Sequence, residues 1–571
     1  MSRASKLRRW ARERANPEKM NMRNAGKDVG AGAALGLVSV PDGLAAGLLA
    51  GVSPVTGLYA YLVGTVAGAA ATSSAFMTVQ ATGAMAVLIA DVPQTTGEDG
   101  PAALLMLALL TGAILLTVGL LRLGSLVRFV PNAVLIGFVN AVAVNIVLGQ
   151  LATFTGYASE AGHRMLRALD TVLHIGSFDW PTLIIGVATI ALILAPEKTP
   201  LGPLGLFAAV VVTSGAVALF SLDSVTLLRD IADVPSSLPR LALPALSLAP
   251  ALLVPAVSLA FVALIQGAAI SKSVPNPDGT YPDVSGDIRG QGVANIAVGV
   301  LQGMPVGGSM SGTALVTEAG ARSRLANVIA GVVMALVILL LGDVAGYIAM
   351  PALAGLLILV GFRTFKWAEL VLLWHTGATQ ITVVISTFVL TLLIPLQYAV
   401  LVGVAISVIL HVTRQSNKVK VTRWVYGPDS PLPRETEPPT VLARGDVVVL
   451  NVYGSLFFAS APVFEAQLPK VVTDSEGSVV ILRLRGKEDL GSTFIQVTTR
   501  YATTLESAGA HFMLAGVGDR VLRQLSQTGA IDTIGEENVF PVDPTVGASV
   551  ADAMRRAQML VVGRNDGGEK G

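Results

Sequence analysis

Two short stretches hold most of the chemistry in an otherwise apolar chain: "FMTVQATGAMAVLIAD" (76–91) and "MPVGGSMSGTALVTEAG" (304–320). Each has an extended lead-in, a cluster of Gly, Ser and Thr, and then a short apolar run. The apolar parts, 80–91 and 310–320, are only 12 and 11 residues long, where about 20 are needed to cross a bilayer. A backbone that stops being helical inside lipid leaves N–H and C=O groups unpaired. It survives only where protein or a water-filled cavity surrounds it. Matching interruptions in two halves of a chain are the pattern of a midplane substrate site.

If each cluster opens a half-helix, two helix N-termini meet in a dry region. Each brings free N–H donors and about half a positive charge, and such a place prefers an anion. The candidate binding residues are Gln80, Ala81 and Thr82 in the first stretch. In the second they are Gly308, Ser309, Met310, Ser311, Gly312 and Thr313. The hydroxyls of Thr82, Ser309, Ser311 and Thr313 add donors, while Gly307 and Gly308 let the chain turn. For any single small residue, close helix packing is the plainer explanation; their paired placement favours a site.

Two further polar residues join the candidates. Asp42 lies inside the first apolar span. A carboxylate at mid-helix costs about 2.5–3.5 kcal/mol on insertion scales, and such groups mark pathways and proton relays. Asp42 is therefore a binding residue and the candidate coupling group, a protonatable acid in an anion–proton symporter. Exposure to an aqueous vestibule, or a capping role, is the alternative. Gln266 is the second, because a buried amide must find partners. Glu318 with Arg322 reads as an i,i+4 pair, Lys272 as an interfacial lysine, and Asn140 and Asn145 as glue between helices.

No metal site or cofactor is expected. Cysteine is absent and the five histidines show no ligand spacing. A nucleophile elbow and a phosphate-binding P-loop are absent too, so an enzyme is not expected. Nothing points to nucleic acid.

The elements that must position these residues are membrane helices. Of 571 residues 53% are hydrophobic and only 13% charged, against about 25% charged in soluble domains. Clear apolar spans cover 29–50, 55–72, 101–121, 131–151, 181–196, 203–222, 249–271, 324–342 and 396–412. Weaker ones cover 287–302, 346–362 and 378–394. With the two short segments there are fourteen, and the short ones stand third and tenth. A 7+7 inverted repeat follows. Residues 1–27 carry nine Lys/Arg and two Glu, reading as a basic cytoplasmic segment rather than a signal peptide. An even span count and "RQSNKVKVTR" (414–423) return the chain to the same side by the positive-inside rule. The transport domain is thus 28–412.

A Pro-rich linker is expected over 413–440. Beyond it "DVVVLNVYGSLFFA", "GSVVILRLR" and "HFMLAGV" read as strands, and "GSTFIQVTTRYATTLESAG" and "GDRVLRQLSQTG" as amphipathic helices. Strand–helix alternation implies a small α/β domain with a largely parallel sheet over 441–562, followed by a disordered tail, 563–571.

On these residues the chain resembles a known family. "VPDGLAAGLLAGVSPVTGLYAYLVGTVAGAAATSS" resembles the opening of the SulP anion permeases, the solute carrier 26 family. "PNAVLIGFVNAVAVNIVLGQL" is similar to their fifth span, and "GSMSGTALVTEAGARSRLANVIAG" to their tenth and eleventh. The C-terminal domain is similar to STAS. The resemblance implies a uracil-permease-like core and gate working as an elevator, a homodimer, and transport of anions such as sulfate, bicarbonate, chloride or dicarboxylates. A bacterial inner-membrane location with both termini cytoplasmic goes with it. Four departures stand out: Asp42 where the family has Gln, Gly312 where it has Arg, Gln266 where it has an acid, and Phe494 where STAS has Gly. The last argues against a phospho-switch at Ser492. Two other functions stay open: a neutral-solute or nucleobase permease on the same fold, and a membrane signalling protein that binds a cytosolic partner through STAS.

Overall fold

The computed structural model describes residues 22–96, 99–124, 131–161, 164–197, 199, 202–232, 234, 236–375, 377–394, 396–427 and 432–565. The chain divides into two compact units, Met1–Ser407 and Val408–Gly571.

The first unit is helical: α1 (Met22–Leu49), α2 (Pro54–Ala71), β1 (Thr78–Gln80), α3 (Gly83–Ala90), α4 (Gly100–Leu120), α5 (Asn132–Thr155), α6 (Arg164–Leu173), α7 (Trp180–Leu194), α8 (Gly202–Leu219), α9 (Ala249–Ser273), α10 (Val284–Val300), β2 (Gly307–Ser309), α11 (Met310–Glu318), α12 (Leu325–Ala345), α13 (Met350–Thr364), α14 (Trp367–Trp374) and α15 (Ala378–Leu393), with the division between the units falling inside α16 (Leu396–Ser416). A helix stands in each apolar segment marked out by the sequence. Among the described residues six helices are long and apolar enough to cross a membrane, the three best by hydropathy being Leu325–Ala345, Gly100–Leu120 and Leu246–Ser273.

The caps follow simple rules. Asp283 accepts from Ser285 N and Gly286 N to open α10, and Asp179 accepts from Thr182 N to open α7. These carboxylates satisfy amides that have no intrahelical acceptor. Small residues then let helices approach closely, as expected where lipid removes the hydrophobic drive between them. A Cβ on Gly57 of α2 would stand 2.2 Å from the Gly43 carbonyl oxygen of α1.

Packing sorts the helices into two groups. In one, α1 packs on α2 and α12, α10 on α2 and α4, and α9 on α4. In the other, α5 packs on α13 and α15, and α7 on α8 and α13. Contacts of α3 with α5, and of α1 with α8 and α13, join the groups. Two helices, α6 and α14, were not anticipated. They are too short or too polar to register as spans, and α6 leaves Leu166, Leu169, Val172 and Leu173 exposed on an amphipathic surface, the pattern of a helix lying in a membrane interface.

The second unit is built on a six-stranded sheet ordered β4–β3–β5–β6–β7–β8, from β3 (Lys420–Tyr426), β4 (Pro433–Thr436), β5 (Val447–Tyr453), β6 (Val479–Arg483), β7 (His511–Val517) and β8 (Val539–Pro541). Strands β5 to β8 are parallel; β3 and β4 run antiparallel at one edge. Helices α17 (Ala461–Glu465), α18 (Ser492–Ser507), α19 (Asp519–Gln527) and α20 (Ala530–Ile534) share one core with Val448, Leu450, Val480 and Leu482. Helix α21 (Ala548–Asn565) shares another with Val449, Ile481 and Met513.

The boundaries need correction. Residues 413–440 are not simply a linker: 413–416 complete α16, and 420–426 and 433–436 are strands whose backbone groups pair in the sheet. The edge strand β4 is short, begins with Pro and has one neighbour, and β3 beside it mixes charged with apolar residues, so the stretch resembles a linker in sequence. Of the basic segment 1–27, residues 22–27 begin α1 and 1–21 lie outside the described residues. Residues 563–565 of the expected tail close α21, and 566–571 lie outside.

Phe494 is wholly buried, its ring 4.6 Å from that of Phe464. Phe494→Ala is expected to lower the stability of this unit by about 3–5 kcal/mol. Hydrogen–deuterium exchange on the purified chain would show β5–β7 losing protection while the helical unit keeps its own.

Candidate functional site

The two lead-ins form one antiparallel ribbon. Thr78 pairs with Ser309, Val79 with Gly308 and Gln80 with Gly307. Helices α3 and α11 leave opposite ends of it, so both N-termini point back to the same ribbon. Thr82 caps α3, its hydroxyl oxygen accepting from Met85 N at 3.4 Å, and Ser309 caps α11, accepting from Gly312 N at 3.1 Å. These caps use the third amide of each helix. The amides of Gly83, Ala84, Met310 and Ser311 come before any intrahelical acceptor.

The predicted residues divide by role. Met310 and Ser311 are exposed, and Asp42, Thr82 and Gln266 are half-buried. Thr82 donates its hydroxyl to Gln266 Oε1 at 3.1 Å, tying α3 to α9. Asp42 accepts the Tyr61 hydroxyl at 2.9 Å. The others are buried in the framework. Gln80 Nε2 donates to Ser39 Oγ at 2.9 Å, one turn from Asp42 on α1. Thr313 donates to Ser309 O at 2.6 Å and accepts from Thr78 N at 3.1 Å. Ala81, Gly308, Ser309 and Gly312 are packed inside. A Cβ on Gly312 would lie 2.8 Å from Gln80 Oε1, so Gln80 fills the space next to the position where the resembling family carries arginine.

Sequence reasoning missed the residues that hold the ribbon. Asp287, Gln291 and Asn295 stand at i, i+4 and i+8 on α10, and all are fully buried. Asp287 Oδ1 accepts from Ser73 N, Ser73 Oγ and Ser74 N, each at 2.7 Å, and Oδ2 accepts from Ser271 Oγ at 2.7 Å. Gln291 Oε1 accepts from Gly308 N at 2.9 Å. Asn295 accepts from Val306 N at 2.9 Å and donates to Val306 O at 2.7 Å. From α12, Asn327 donates to the carbonyls of Phe76 and Met77 and accepts from the Thr78 hydroxyl. These side chains take up the backbone polarity that a non-helical segment would otherwise strand in lipid. The signal was present: three polar residues four apart on one membrane helix. In hydropathy these residues only lower the apolar character of 287–302.

Glu318 and Arg322 do not form the expected ion pair among the described residues. Asp28 instead accepts from Arg322 N, Ser323 N and Ser323 Oγ, fastening the chain just beyond α11 to the start of α1. Arg324 donates to the carbonyl of Ala69 at the end of α2. Asn145 donates to Thr391 O, joining α5 to α15 as read, and Asn140 accepts from Lys366 N.

The arrangement can hold a small anion by hydroxyls, amides without an intrahelical acceptor and helix dipoles, with Asp42 the one acid among the candidates.

Residues 26–387 match the sequence model described as the Sulfate permease family, and 438–552 match the STAS domain. The bicarbonate transporter BicA of Synechocystis sp. is 25% identical over 541 residues, covering 91% of this chain and 93% of its own. Sulfate transporter 4.1, chloroplastic, of Arabidopsis thaliana is 23% identical over 539 residues, covering 90% and 78%. Among solved structures, SLC26A9 superposes with a TM-score of 0.84 at 17% identity, over 99% of this chain and 96% of that one.

Proposed function

The chain belongs to the sulfate permease family and is a multi-pass anion transporter with a STAS domain, not an enzyme; from that premise we propose that it moves sulfate, bicarbonate or a dicarboxylate by proton symport. The ribbon with its two capped helix N-termini carries the proposal. Its amides at Gly83, Ala84, Met310 and Ser311, with the hydroxyl of Ser311, form the anion cradle, while Thr82 spends its own hydroxyl on Gln266 and Met85. Gly308, Ser309, Gly312, Thr313, Gln80 and Ala81 give it shape rather than contacts. Gln266 replaces an acid, leaving an amide, not a carboxylate, beside Thr82; this supports uptake independent of sodium.

Asp42 is the proton carrier in this reading. In the same reading it sits beside the anion path with one hydroxyl donor among the described residues, Tyr61, and a negative carboxylate there would repel the substrate. Anion and proton therefore enter together. The group of helices holding the ribbon slides as a body against the group built on α5, α7, α8, α13 and α15. The transporter works as a homodimer in the inner membrane with both termini cytoplasmic, and the 7+7 inverted repeat places the two half-helices in register. STAS offers a surface for a cytosolic partner.

Uptake of radiolabelled sulfate, bicarbonate and dicarboxylates into proteoliposomes, with and without sodium and a pH gradient, tests this. Asp42→Asn is expected to abolish acceleration by an inward proton gradient while substrate-driven exchange persists. An unchanged response to the gradient would remove the proton role. Competition by uracil but by none of the anions would favour a neutral-solute permease, and no uptake together with a bound cytosolic protein would favour signalling.

A further inference from the structure

We propose that a second oxyanion site, separate from the ribbon, lies under Arg240, for a phosphate- or sulfate-type group. A cavity of about 390 Å³ opens where α2 and α4 begin. This is the end of the unit opposite Asp287, since α2 ends next to Ser73. Its polar lining comprises Ser53, Thr56, Tyr59, Ser237, Arg240 and Gln302, with no acid among the lining residues.

The segment carrying Arg240 is pinned on both sides. Tyr59 donates its hydroxyl to Ser237 O at 2.8 Å, and Ala242 N donates to Val300 O at 3.0 Å. Arg240 N itself donates to Gln302 Oε1 at 3.2 Å. Gln302 holds this position with φ +57°, a left-handed backbone that non-glycine residues rarely adopt. Strain of this kind persists where the surroundings impose it and clusters at functional sites. The guanidinium has no carboxylate partner among the described residues. Ser53 opens α2 without using its hydroxyl as a cap, which leaves that hydroxyl for a ligand. A cationic side chain on a tethered backbone, free hydroxyls and no competing acid in the lining are the chemistry of phosphate and sulfate recognition.

The flanking chain bears on the source of the group. Leu241, Leu243 and Leu246 follow Arg240 and are exposed by 82%, 90% and 74%, a surface suited to acyl chains beside a lipid head group. A free inorganic anion has the same charge chemistry without that apolar need.

Two measurements on the purified full-length protein separate these sources. One is retention of phosphatidylglycerol against phosphatidylcholine by native mass spectrometry. The other is the thermal shift produced by inorganic phosphate in detergent. Wild type and Arg240→Lys are expected to bind in at least one of them, and Arg240→Gln about tenfold more weakly. Any phosphate held at the ribbon is common to all three proteins and cancels. Loss confined to the lipid measurement identifies a head group; loss confined to phosphate identifies a free anion. Ser53→Ala with Thr56→Val removes the hydroxyls without touching the tethers, and the same weakening is expected. Binding equal to wild type in both measurements, for Arg240→Gln and for the double variant, would overturn the site.

Discussion

Asp287→Ala is expected to destabilise the helical unit by about 3–5 kcal/mol and to abolish anion uptake. The carboxylate is fully buried and takes four donors: Ser73 N, Ser73 Oγ, Ser74 N and Ser271 Oγ. Each buried donor left unmade costs about 1–3 kcal/mol, moderated where water or a rotated hydroxyl steps in. The single hydrogen of the Ser271 hydroxyl has Gly267 O as an alternative acceptor at 2.8 Å, so the two serine amides bear most of the loss. They lead into β1, and without their anchor the ribbon loses its register with β2. Asp287→Asn separates geometry from charge. Its Oδ1 keeps the three acceptor contacts to 73 and 74, and its Nδ2 can donate to the Ser271 hydroxyl. Most of the stability and measurable uptake should therefore return. Thermal unfolding in detergent and proteoliposome uptake, read together, check both variants; equal damage from Ala and Asn would make the charge, not the anchoring, the essential property.

Gly267→Ala should cripple the protein through a residue that never touches substrate. A Cβ at 267 would sit 1.9 Å from Gln291 Nε2 and 2.9 Å from its amide carbon. Gln291 cannot turn away cheaply, because its Oε1 holds Gly308 N. Its Nε2 is already buried without a partner among the described residues, so this amide is ordered for the sake of Gly308 alone. The methyl group therefore costs both overpacking and a buried hydrogen bond, about 2–4 kcal/mol together. Gln291→Ala alone empties the space and unties Gly308. Combined with Gly267→Ala it should cost less than the sum of the two, since the clash has gone. A double-mutant cycle on the unfolding midpoint measures this coupling. Strict additivity would show that the two residues do not share the space.

Much of the architecture was legible before any coordinates. Low charge and long Ala/Val/Leu/Gly runs can only be membrane helices, because lipid demands that backbone polarity be satisfied within the segment. Gly- and Ser-rich stretches followed by half-length helices mark a broken span for the same reason. Both half-helices lie within the two short apolar stretches of the sequence, with Thr82 and Ser309 as their caps. The edge strand β4 and its neighbour β3 escaped, since their charged residues carry no alternation strong enough to separate strand from loop. The amphipathic α6 escaped because a span-length window averages its two faces away, and the eight-residue α14 because it is too short to stand out as a span.

At the candidate site the division is sharper. Types and spacing determined that residues 80–82 and 308–313 break the helical ladder in lipid, and that an anion suits what they offer. They did not determine which of these residues face the opening. Thr313 and Gln80 look like ligands in the sequence, yet their polar atoms are spent on Ser309, Thr78 and Ser39. Ser311, equally polar, is exposed. That choice rests on contacts between residues over 200 positions apart in sequence, such as Ser73 with Asp287. A local pattern can state that a backbone group needs a partner in lipid; only the tertiary packing of α10 and α12 decides which side chain supplies it, and so which donors remain for a substrate.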